Sequence, residues 1–565
     1  MRPAFAILLI LLFGAVNAAS WWWCNRPVPV ELSYAEPFPS VSFAPFRRGQ
    51  SPLTRDYPSA LQVESDFKSL VGVSKGVRTY TSQEGLEIVP GLGRKYGIEV
   101  THSAWLGVKL ENNEREVAGL IRSAGEYPDV IRRVIVGNEV LLRNDLSPQQ
   151  LIGYIRRVKA AVKQPVSYAD VWAYWLKHPE VAAEVDYLTV HILPYWEDEP
   201  IAVEHAAEHI VMVYRMMQQA FPGKPILIGE AGWPTAGRSR GPAVASMENG
   251  ARFVRTLAKL SKENGFDYNV VEAFDQPWKA KLEGTVGANW GVIDAERRVK
   301  FAMSGPVEAS ARWPMHAAAA LLMGSFGALV YLRRPERYSP LAMVLVAGLA
   351  QLLASLAVWQ GANAFEISYD LPGDVWAMAR VSLHAILAAA ILKAAGEGFR
   401  LGCGAAHSRW AERLVPLYGL MAVVASAIIF FNGRYRDIPN VEFLAPCLGV
   451  AAFALARMLV FREAPGQAFA VGRLFAGKQG GGFGPAKAMT IGLLASAVAA
   501  PLSDAMALAK GDDFIKMHPK LSDQLPLLAH ALIENRELLV WSAMLLVMAV
   551  PFWMEWRRKA PQASV

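Results

Sequence analysis

The feature that most constrains folding is the C-terminal part of the sequence, which repeats long apolar runs. From about residue 315 onward these runs are 17 to 22 residues long, enough to cross a bilayer as helices. Glycine and alanine are frequent within them, as expected where helices approach one another closely in lipid. The pattern predicts an all-α transmembrane domain of about seven helices, with spans at 315–332, 339–359, 375–395, 414–431, 443–461, 488–508 and 538–554.

The preceding part of the chain has the composition of a soluble enzyme. Residues 20–312 mix charged and aromatic side chains, and 565 residues exceed what a single core holds. We therefore expect an exported domain at 20–312 and a multi-span membrane domain at 313–565. Residues 1–19 combine Arg2, an apolar stretch and the small residues Ala18 and Ala19. They are either an export signal with a Val16-x-Ala18 cleavage pattern or an uncleaved anchor helix, and both export the soluble half.

The charges of the loops between the spans predict their orientation. Alternate loops and the C-terminal tail hold 13 Lys and Arg residues, whereas the other loops hold six. Because cytoplasmic loops are enriched in these residues, we expect the domain at 20–312 to lie outside the cytoplasm and the C-terminus to lie inside it. The cytoplasmic loops also account for most of the net charge of +7, so we expect no nucleic-acid partner.

Within the soluble half, short β-rich runs alternate with amphipathic helical stretches, which indicates parallel α/β architecture. The helix predicted at Ser147–Lys163, for example, begins with Ser-Pro, an N-cap followed by a proline at the first helical position. The number of units favours a (β/α)8 TIM barrel, although a doubly wound sheet would look similar. The predicted strands are Val41–Pro45, Gly76–Tyr80, Glu99–Ala104, Val134–Gly137, Val166–Ala169, Tyr187–Ile192, Ile226–Gly229 and Asn269–Ala273.

A glutamate lies just past two of these strands, Glu139 and Glu230, and the two glutamates are about 90 residues apart. Carboxyl groups at the C-terminal mouth of a parallel barrel face one another, and such a pair is the minimal equipment for breaking a glycosidic bond. Other strands end in aromatic or polar groups, including Tyr80, Trp105 and Asp170. Aromatic rings stack on sugar faces while polar groups bind hydroxyls, so this ring of residues predicts a sugar-binding mouth.

Five motifs in this region together resemble family 17 glycoside hydrolases over roughly residues 35–302. They are V-I-V-G-N-E ending at Glu139, H-I-L-P-Y-W at 191–196, I-G-E-A-G-W-P around Glu230, E-A-F-D-Q-P-W-K at 272–279 and G-A-N-W-G-V-I-D at 287–294. The resemblance implies a (β/α)8 barrel with a retaining mechanism on β-1,3-linked glucans. It implies Glu139 as the acid/base, protonated in the free enzyme, and Glu230 as the nucleophile.

The resemblance also suggests substrate-binding residues. Asn138 would reach the sugar 2-hydroxyl, and Tyr195 would hold Glu230 in place. Further expected subsite residues are Tyr80, Trp196, Trp233, Glu272, Asp275, Trp278, Lys279 and Trp290.

In its layout, the chain resembles the rhizobial membrane proteins of β-(1→3),(1→6) cyclic glucan synthesis. That likeness implies glucanosyl transfer forming β-1,6 links or branches by a bacterial inner-membrane protein with a periplasmic catalytic domain. It implies a β-glucan and the lipid bilayer as partners, with a glucan synthase in the same membrane as a further candidate partner. The donor is an existing glycosidic bond, so we expect no cofactor and no metal. Two alternatives stay open: an endo-1,3-β-glucanase, and a noncatalytic glucan-binding or assembly protein.

Overall fold

The computed structural model of the protein describes residues 2–30, 32–403, 407–475 and 483–558. Lys478 and Lys559, which the comparison of loop charges includes, lie outside these ranges. The chain divides into two compact units. One comprises Pro27–Glu308 with Lys510–Lys520, and the other comprises Met1–Arg26, Ala309–Ala509 and Leu521–Val565.

The first unit contains a closed barrel of eight parallel strands in the order β1 to β8, which confirms the predicted (β/α)8 fold. Each strand pairs with its neighbour in sequence, and β1 closes the barrel against β8 through Val41 and Val270. The strands are β1 Val41–Ser42, β2 Gly76–Arg78, β3 Glu99–Ala104, β4 Ile131–Asn138, β5 Val166–Val171, β6 Leu188–His191, β7 Ile226–Ala231 and β8 Asp267–Val270.

The strands are apolar because both of their faces are covered, one by the barrel interior and one by the surrounding helices. Val134, Ile135 and Val136 of β4, for example, are all fully buried. The helices of this unit are Ala60–Ser69, Val89–Tyr96, Leu110–Glu126, Pro148–Ala161, Trp172–Lys177, Pro179–Glu184, Val203–Ala220, Met247–Asn264, Ala280–Ala288 and Asp512–Met517, with a 3-10 turn at Pro277–Lys279.

Local sequence signals set where these helices begin. Ser147 caps the helix Pro148–Ala161 by accepting the amide of Gln150, whose side chain accepts the amide of Ser147 in return. This reciprocal pair satisfies two backbone donors that the first turn of a helix leaves without partners. The proline at the first helical position has no amide to satisfy, so the prediction of this helix start from Ser-Pro is confirmed.

The second unit is helical, and the described residues of the whole chain include eight helices long and apolar enough to cross a membrane. Seven of them coincide with the seven predicted spans, with ends that differ by several residues, and the eighth lies at the N-terminus. They are Arg2–Asn25, Trp313–Leu332, Pro340–Glu366, Leu371–Gly398, Arg409–Phe431, Val441–Phe461, Ala486–Leu508 and Arg536–Arg557. Shorter helices in this unit are Pro465–Ala468, Val471–Leu474 and Leu521–Glu534.

Candidate active site

The barrel brings Glu139 and Glu230 together. Glu139 directly follows β4, and Glu230 is the fifth residue of β7. One carboxylate oxygen from each glutamate and one ring nitrogen of His191 all lie within 4.8 Å of one another. The two candidate catalytic carboxyl groups therefore face a common space at the C-terminal end of the strands.

A tight turn aims the side chain of Glu139. Its backbone has a φ of +51°, in the left-handed region, and its amide donates a 2.7 Å hydrogen bond to the carbonyl of Ala169 on β5. Two residues earlier, Gly137 has a φ of +86°, and a Cβ atom there would lie 2.8 Å from a methyl carbon of Val140. A side chain at position 137 would therefore be strained by its backbone and crowded by the turn, which explains the glycine of the Gly-Asn-Glu motif.

His191, at the end of β6, links the two glutamates. Its Nδ1 lies 2.8 Å from Oε1 of Glu139, and its Nε2 lies 3.5 Å from Oε1 of Glu230. Burial raises the pKa of Glu139, but the hydrogen bond and charge of His191, with the charges of Arg143 and Arg78, outweigh burial and lower that pKa. The free site thus favours an ionised Glu139 beside His191, whereas the family resemblance implies a protonated carboxyl.

Arg78, the last residue of β2, is fully buried and joins β7 to β4. Its Nη1 donates to the carbonyl of Gly229 at 2.7 Å and lies 3.2 Å from Oε1 of Glu230. Its Nη2 donates to the side-chain oxygen of Asn138. One rigid guanidinium therefore fixes the nucleophile candidate and the residue that precedes the acid/base candidate.

The ion pair of Lys279 and Glu272 interacts electrostatically with Glu230. Nζ of Lys279 lies 2.5 Å from Oε1 of the buried Glu272, whose other carboxylate oxygen has no partner among the described residues. Burial raises the pKa of Glu272 to about 7, against the lowering effect of Lys279. Burial also raises the pKa of Glu283, which is electrostatically coupled to Lys279, Glu139 and Glu230. Glu272 and Lys279 therefore form a buried ion pair beside the catalytic candidates, and one oxygen of Glu272 has no partner among the described residues.

Other expected substrate-binding residues keep surface or polar groups available. Asn138 accepts from Arg78 through its oxygen, while its amide nitrogen donates no hydrogen bond among the described residues. Tyr80 donates to Ser42 at 2.9 Å, and burial together with the charge of Glu230 raises the pKa of Tyr80 well above its usual value. Trp196 and Trp278 are half-buried. These positions are compatible with subsites.

Four other expected subsite residues are buried in the structure, and they are Asp275, Trp233, Tyr195 and Trp290. Asp275 is buried, and its carboxylate accepts from Nζ of Lys300 at 2.7 and 2.9 Å and from the amide of Gly291 at 2.9 Å. Trp233 is 2% exposed and donates its indole N–H to the carbonyl of Val244. Their polar groups are satisfied within the protein, which explains their burial without a substrate.

Tyr195 and Trp290 are the other two buried residues of this set. Tyr195 is fully buried, and its hydroxyl donates a 2.6 Å hydrogen bond to the carbonyl of Arg238 in the segment after β7. Arg78 and His191 contact the carboxylate of Glu230, and the role of Tyr195 in holding Glu230 stays a prediction. Trp290 is 4% exposed, and its ring stacks on Trp196 with the centroids 6.3 Å apart. Trp290 therefore packs against the ring of Trp196.

Arg78, Arg143 and Glu283, which no sequence pattern singled out, complete the site together with His191. Arg78 and His191 contact Glu230, and Arg143 donates to the carbonyl of Asn138 at 2.5 Å. An arginine at the end of an otherwise apolar strand is a signal that could have identified Arg78, because a buried charge needs a partner. His191 opens the H-I-L-P-Y-W motif, whereas no local signal marks Glu283, which reaches the site through the helix after β8.

The cluster of Glu139, His191 and Glu230 has the ligand types of a metal site. However, the guanidinium of Arg78 lies 3.2 Å from Glu230 and already supplies positive charge there. A cation placed among these groups would be repelled by Arg78, so the arrangement fits an acid/base and nucleophile pair better than a metal centre.

Comparisons with known proteins agree with this geometry. Residues 40–291 match the model of the BtgE/BtgC glycoside hydrolase domain. Glucan 1,3-beta-glucosidase of Arthroderma benhamiae is 28% identical over 260 residues, covering 42% of this chain and 82% of that protein. Glucan 1,3-beta-glucosidase of Schizosaccharomyces pombe is 27% identical over 256 residues, covering 42% and 78%.

Among solved structures, the family 17 beta-1,3-glucanosyltransferase of Rhizomucor miehei is 28% identical and covers 46% of this chain and 95% of that chain, with a TM-score of 0.41. The barrel matches the BtgE/BtgC glycoside hydrolase domain, and its resemblance to family 17 glycoside hydrolases is confirmed by that match and by a relative named as a probable family 17 glucosidase.

Proposed function

We propose that this protein is a membrane-anchored, retaining enzyme of β-1,3-glucan, with Glu139 as acid/base and Glu230 as nucleophile. The carrying observation is that oxygens of the two carboxylates approach within 4.8 Å. Retaining glycosidases hold their carboxyl groups about 5–5.5 Å apart, whereas inverting enzymes need roughly 6.5–9.5 Å for an intervening water. Relatives named as glucan 1,3-beta-glucosidases support the choice of substrate.

The reaction follows from the positions of these groups. Glu230 attacks the anomeric carbon while Glu139 gives a proton to the glycosidic oxygen, so the glycosidic bond breaks and a glycosyl ester of Glu230 forms. Glu139 then takes a proton from an acceptor hydroxyl, which attacks the same carbon and releases Glu230. His191 and Glu139 hold the transferred proton between them, since their side chains lie 2.8 Å apart.

We further propose that a sugar hydroxyl, rather than water, is the main acceptor and that the new link is β-1,6. An enzyme that remodels a glucan emerging at the membrane gains from being held close to its substrate and to a glucan synthase. The candidate membrane helices support this proposal, because a purely degradative enzyme needs no such anchor. Hydrolysis is the second candidate function, favoured by the glucosidase names of the relatives.

Product analysis of the full-length protein in detergent tests these proposals. Incubation with β-1,3-linked glucan oligosaccharides should give products longer than the donor, with β-1,6 links detectable by NMR. Glu139→Gln and Glu230→Ala should each abolish turnover, while Glu204→Gln, a change of an exposed glutamate on the barrel surface, should not. Products that are only shorter would establish hydrolysis, and full activity in either active-site variant would refute the assignment.

For the membrane unit, we propose an inner-membrane protein with its barrel in the periplasm and both termini in the cytoplasm. The proposal rests on the distribution of Lys and Arg among the loops. Single cysteines in a variant without the native cysteines, at Leu61 in the barrel and at Arg334 in the loop after Trp313–Leu332, test it. A membrane-impermeant maleimide should label position 61 but not position 334 in spheroplasts, and the reverse result would refute this orientation.

We also propose that the helix Arg2–Asn25 is retained as an anchor. Asn17 is 7% exposed, and its amide donates to Oε1 of Gln351 at 2.6 Å. Ser355 donates to Asn17 and accepts from the indole of Trp21 at 3.1 Å, and Gln351 donates to Ser325 at 3.0 Å. Interhelical hydrogen bonds of this kind stabilise helix association in lipid.

Cleavage after Ala18 would remove Asn17 and leave the buried Gln351 without one of its partners. Intact-mass analysis of the purified protein tests retention directly. A mass that includes Arg2–Asn25 supports it, and a mature N-terminus at Ala19 would refute it.

A further inference from the structure

Trp105, the residue after β3, has the properties of a binding surface. Its side chain stands at the C-terminal end of the strands and Trp105 is 40% exposed, whereas the other tryptophans among the described residues of the barrel unit are buried or half-buried. Its indole N–H has no hydrogen-bond partner among those residues. The guanidinium carbon of Arg143 lies 4.3 Å from the ring centroid, so the arginine covers one face of the indole.

The support under this ring is rigid. Arg143 donates to the carbonyl of Asn138 at 2.5 Å, to the carbonyl of Leu106 at 3.1 Å and to Asp145 at 2.8 Å. The amide of Trp105 donates to Glu116, whose carboxylate also binds Thr81 and Ser82. Little side-chain entropy would be lost on stacking a ligand here, because both the indole and its arginine are already held.

Trp105 and Arg143 lie on one side of the catalytic pair. Trp105 follows β3, which pairs with β4, and Arg143 bonds to the carbonyl of Asn138 next to Glu139. The charge of Arg143 also lowers the pKa of Glu139, less strongly than His191 does. Trp105 therefore lies on the Glu139 side of the site, whereas Glu230 lies across the barrel on β7.

We propose that Trp105, backed by Arg143, is a sugar-stacking platform for the part of the glucan that Glu139 protonates and releases, and for the acceptor that replaces it. The acid/base stands beside the leaving oxygen, so the glucosyl unit carrying that oxygen lies on the same side. The open face of the indole suits a pyranose ring, and its free N–H can donate to a hydroxyl. This proposal rests on the proposed function, because it assigns Glu139 as acid/base.

The cleavage pattern of a reducing-end-labelled β-1,3-glucan hexasaccharide tests the platform. Loss of a site on the leaving-group side should move cleavage toward the reducing end, so Trp105→Ala should release shorter labelled fragments. Trp105→Phe, which keeps an aromatic face, should retain most of the wild-type pattern. Tyr127→Ala is the matched control, because Tyr127 carries Arg94 at 4.6 Å from its ring but lies before β4, at the opposite end of the strands.

Calorimetry makes the test independent of turnover. In a Glu230→Gln background, Trp105→Ala should weaken binding of the same hexasaccharide about tenfold, and Tyr127→Ala should not. An unchanged cleavage pattern together with unchanged affinity in Trp105→Ala would overturn the platform. A wild-type protein that binds the oligosaccharide but never cleaves it would overturn the proposed function and with it the leaving-group role of Trp105, while calorimetry would still show whether Trp105 binds sugar. Failure of Glu230→Gln to bind the oligosaccharide at all would overturn both.

Discussion

Replacing Arg78 by lysine should impair catalysis while leaving the fold intact. The guanidinium of Arg78 reaches two strands at once: Nη1 meets Gly229 and Glu230 on β7, and Nη2 meets Asn138 at the end of β4. A lysine ammonium is a single point and cannot reproduce this fork. A lysine could contact Glu230 and leave Asn138 without its donor. Alternatively, it could contact Asn138 and leave Glu230 without its cation.

The size of the effect follows from the hydrogen bonds that a lysine cannot make. A hydrogen bond to a charged group contributes about 1.5–3 kcal/mol, so the absence of one such bond in the transition state should lower kcat/KM roughly 10- to 150-fold. Arg78→Met removes the charge altogether and leaves Glu230, which is 8% exposed, without its arginine. Breaking a buried ion pair in this way costs about 3–5 kcal/mol of folding stability, so Arg78→Met should unfold at a lower temperature than Arg78→Lys.

The assay is the initial rate of β-1,3-glucan oligosaccharide turnover by full-length protein in detergent, with thermal unfolding measured in parallel. Arg94→Lys serves as the matched control, because Arg94 binds Asp129 on the barrel exterior. Arg78→Lys activity within twofold of wild type at equal unfolding temperature would refute the role of the fork. A loss of activity that merely follows a lowered unfolding temperature would also contradict it.

Three more substitutions probe the charged groups around the site. First, His191→Asn removes the main group that lowers the pKa of Glu139, so that pKa should rise. The basic limb of the pH–kcat/KM profile should then move to higher pH. An unmoved limb would show that His191 does not set the pKa of the acid/base. Second, burial and the charge of Glu139 raise the pKa of Asp170 to about 7. Folded Asp170 therefore holds its proton after the unfolded chain has lost it, and stability falls as pH rises through 7. Asp170→Asn should make the unfolding temperature less sensitive to pH between 5 and 8, and equal slopes for both proteins would contradict this. Third, Lys279→Met should destabilise the protein by about 3–5 kcal/mol by stranding the buried Glu272, and adding Glu272→Gln should recover part of the loss in thermal unfolding. A double variant no more stable than Lys279→Met would argue against the pair.

Sequence patterns located the barrel strands and membrane helices well. Apolar runs bounded by turn residues found all eight strands, and Glu99–Ala104 agrees at both ends. Elsewhere the ends moved by up to three residues, as for β4, which begins at Ile131 instead of Val134. Strand ends depend on hydrogen bonds to neighbours, which a local pattern does not contain.

Tertiary contacts separate strand-end residues whose polar groups are hydrogen-bonded within the protein from those that keep an exposed surface. Asp275 and Trp233 follow strands just as Trp105 does, and no local feature separates them. In the structure Asp275 accepts a hydrogen bond from Lys300, and Trp233 donates one to the carbonyl of Val244. The indole of Trp105, by contrast, keeps one face exposed. A polar or aromatic side chain at a strand end thus indicates the neighbourhood of the site, but its hydrogen-bond partners decide whether it faces a ligand.

By itself, the sequence determined the architecture and the catalytic candidates, because hydropathy and strand periodicity are local properties and the Gly-Asn-Glu turn is encoded in adjacent residues. Only the tertiary structure decided how these candidates are held. Arg78 and Glu230 are 152 residues apart in the chain, and His191 meets both glutamates through barrel closure. Contacts over such separations depend on the register of all eight strands, which no single segment specifies.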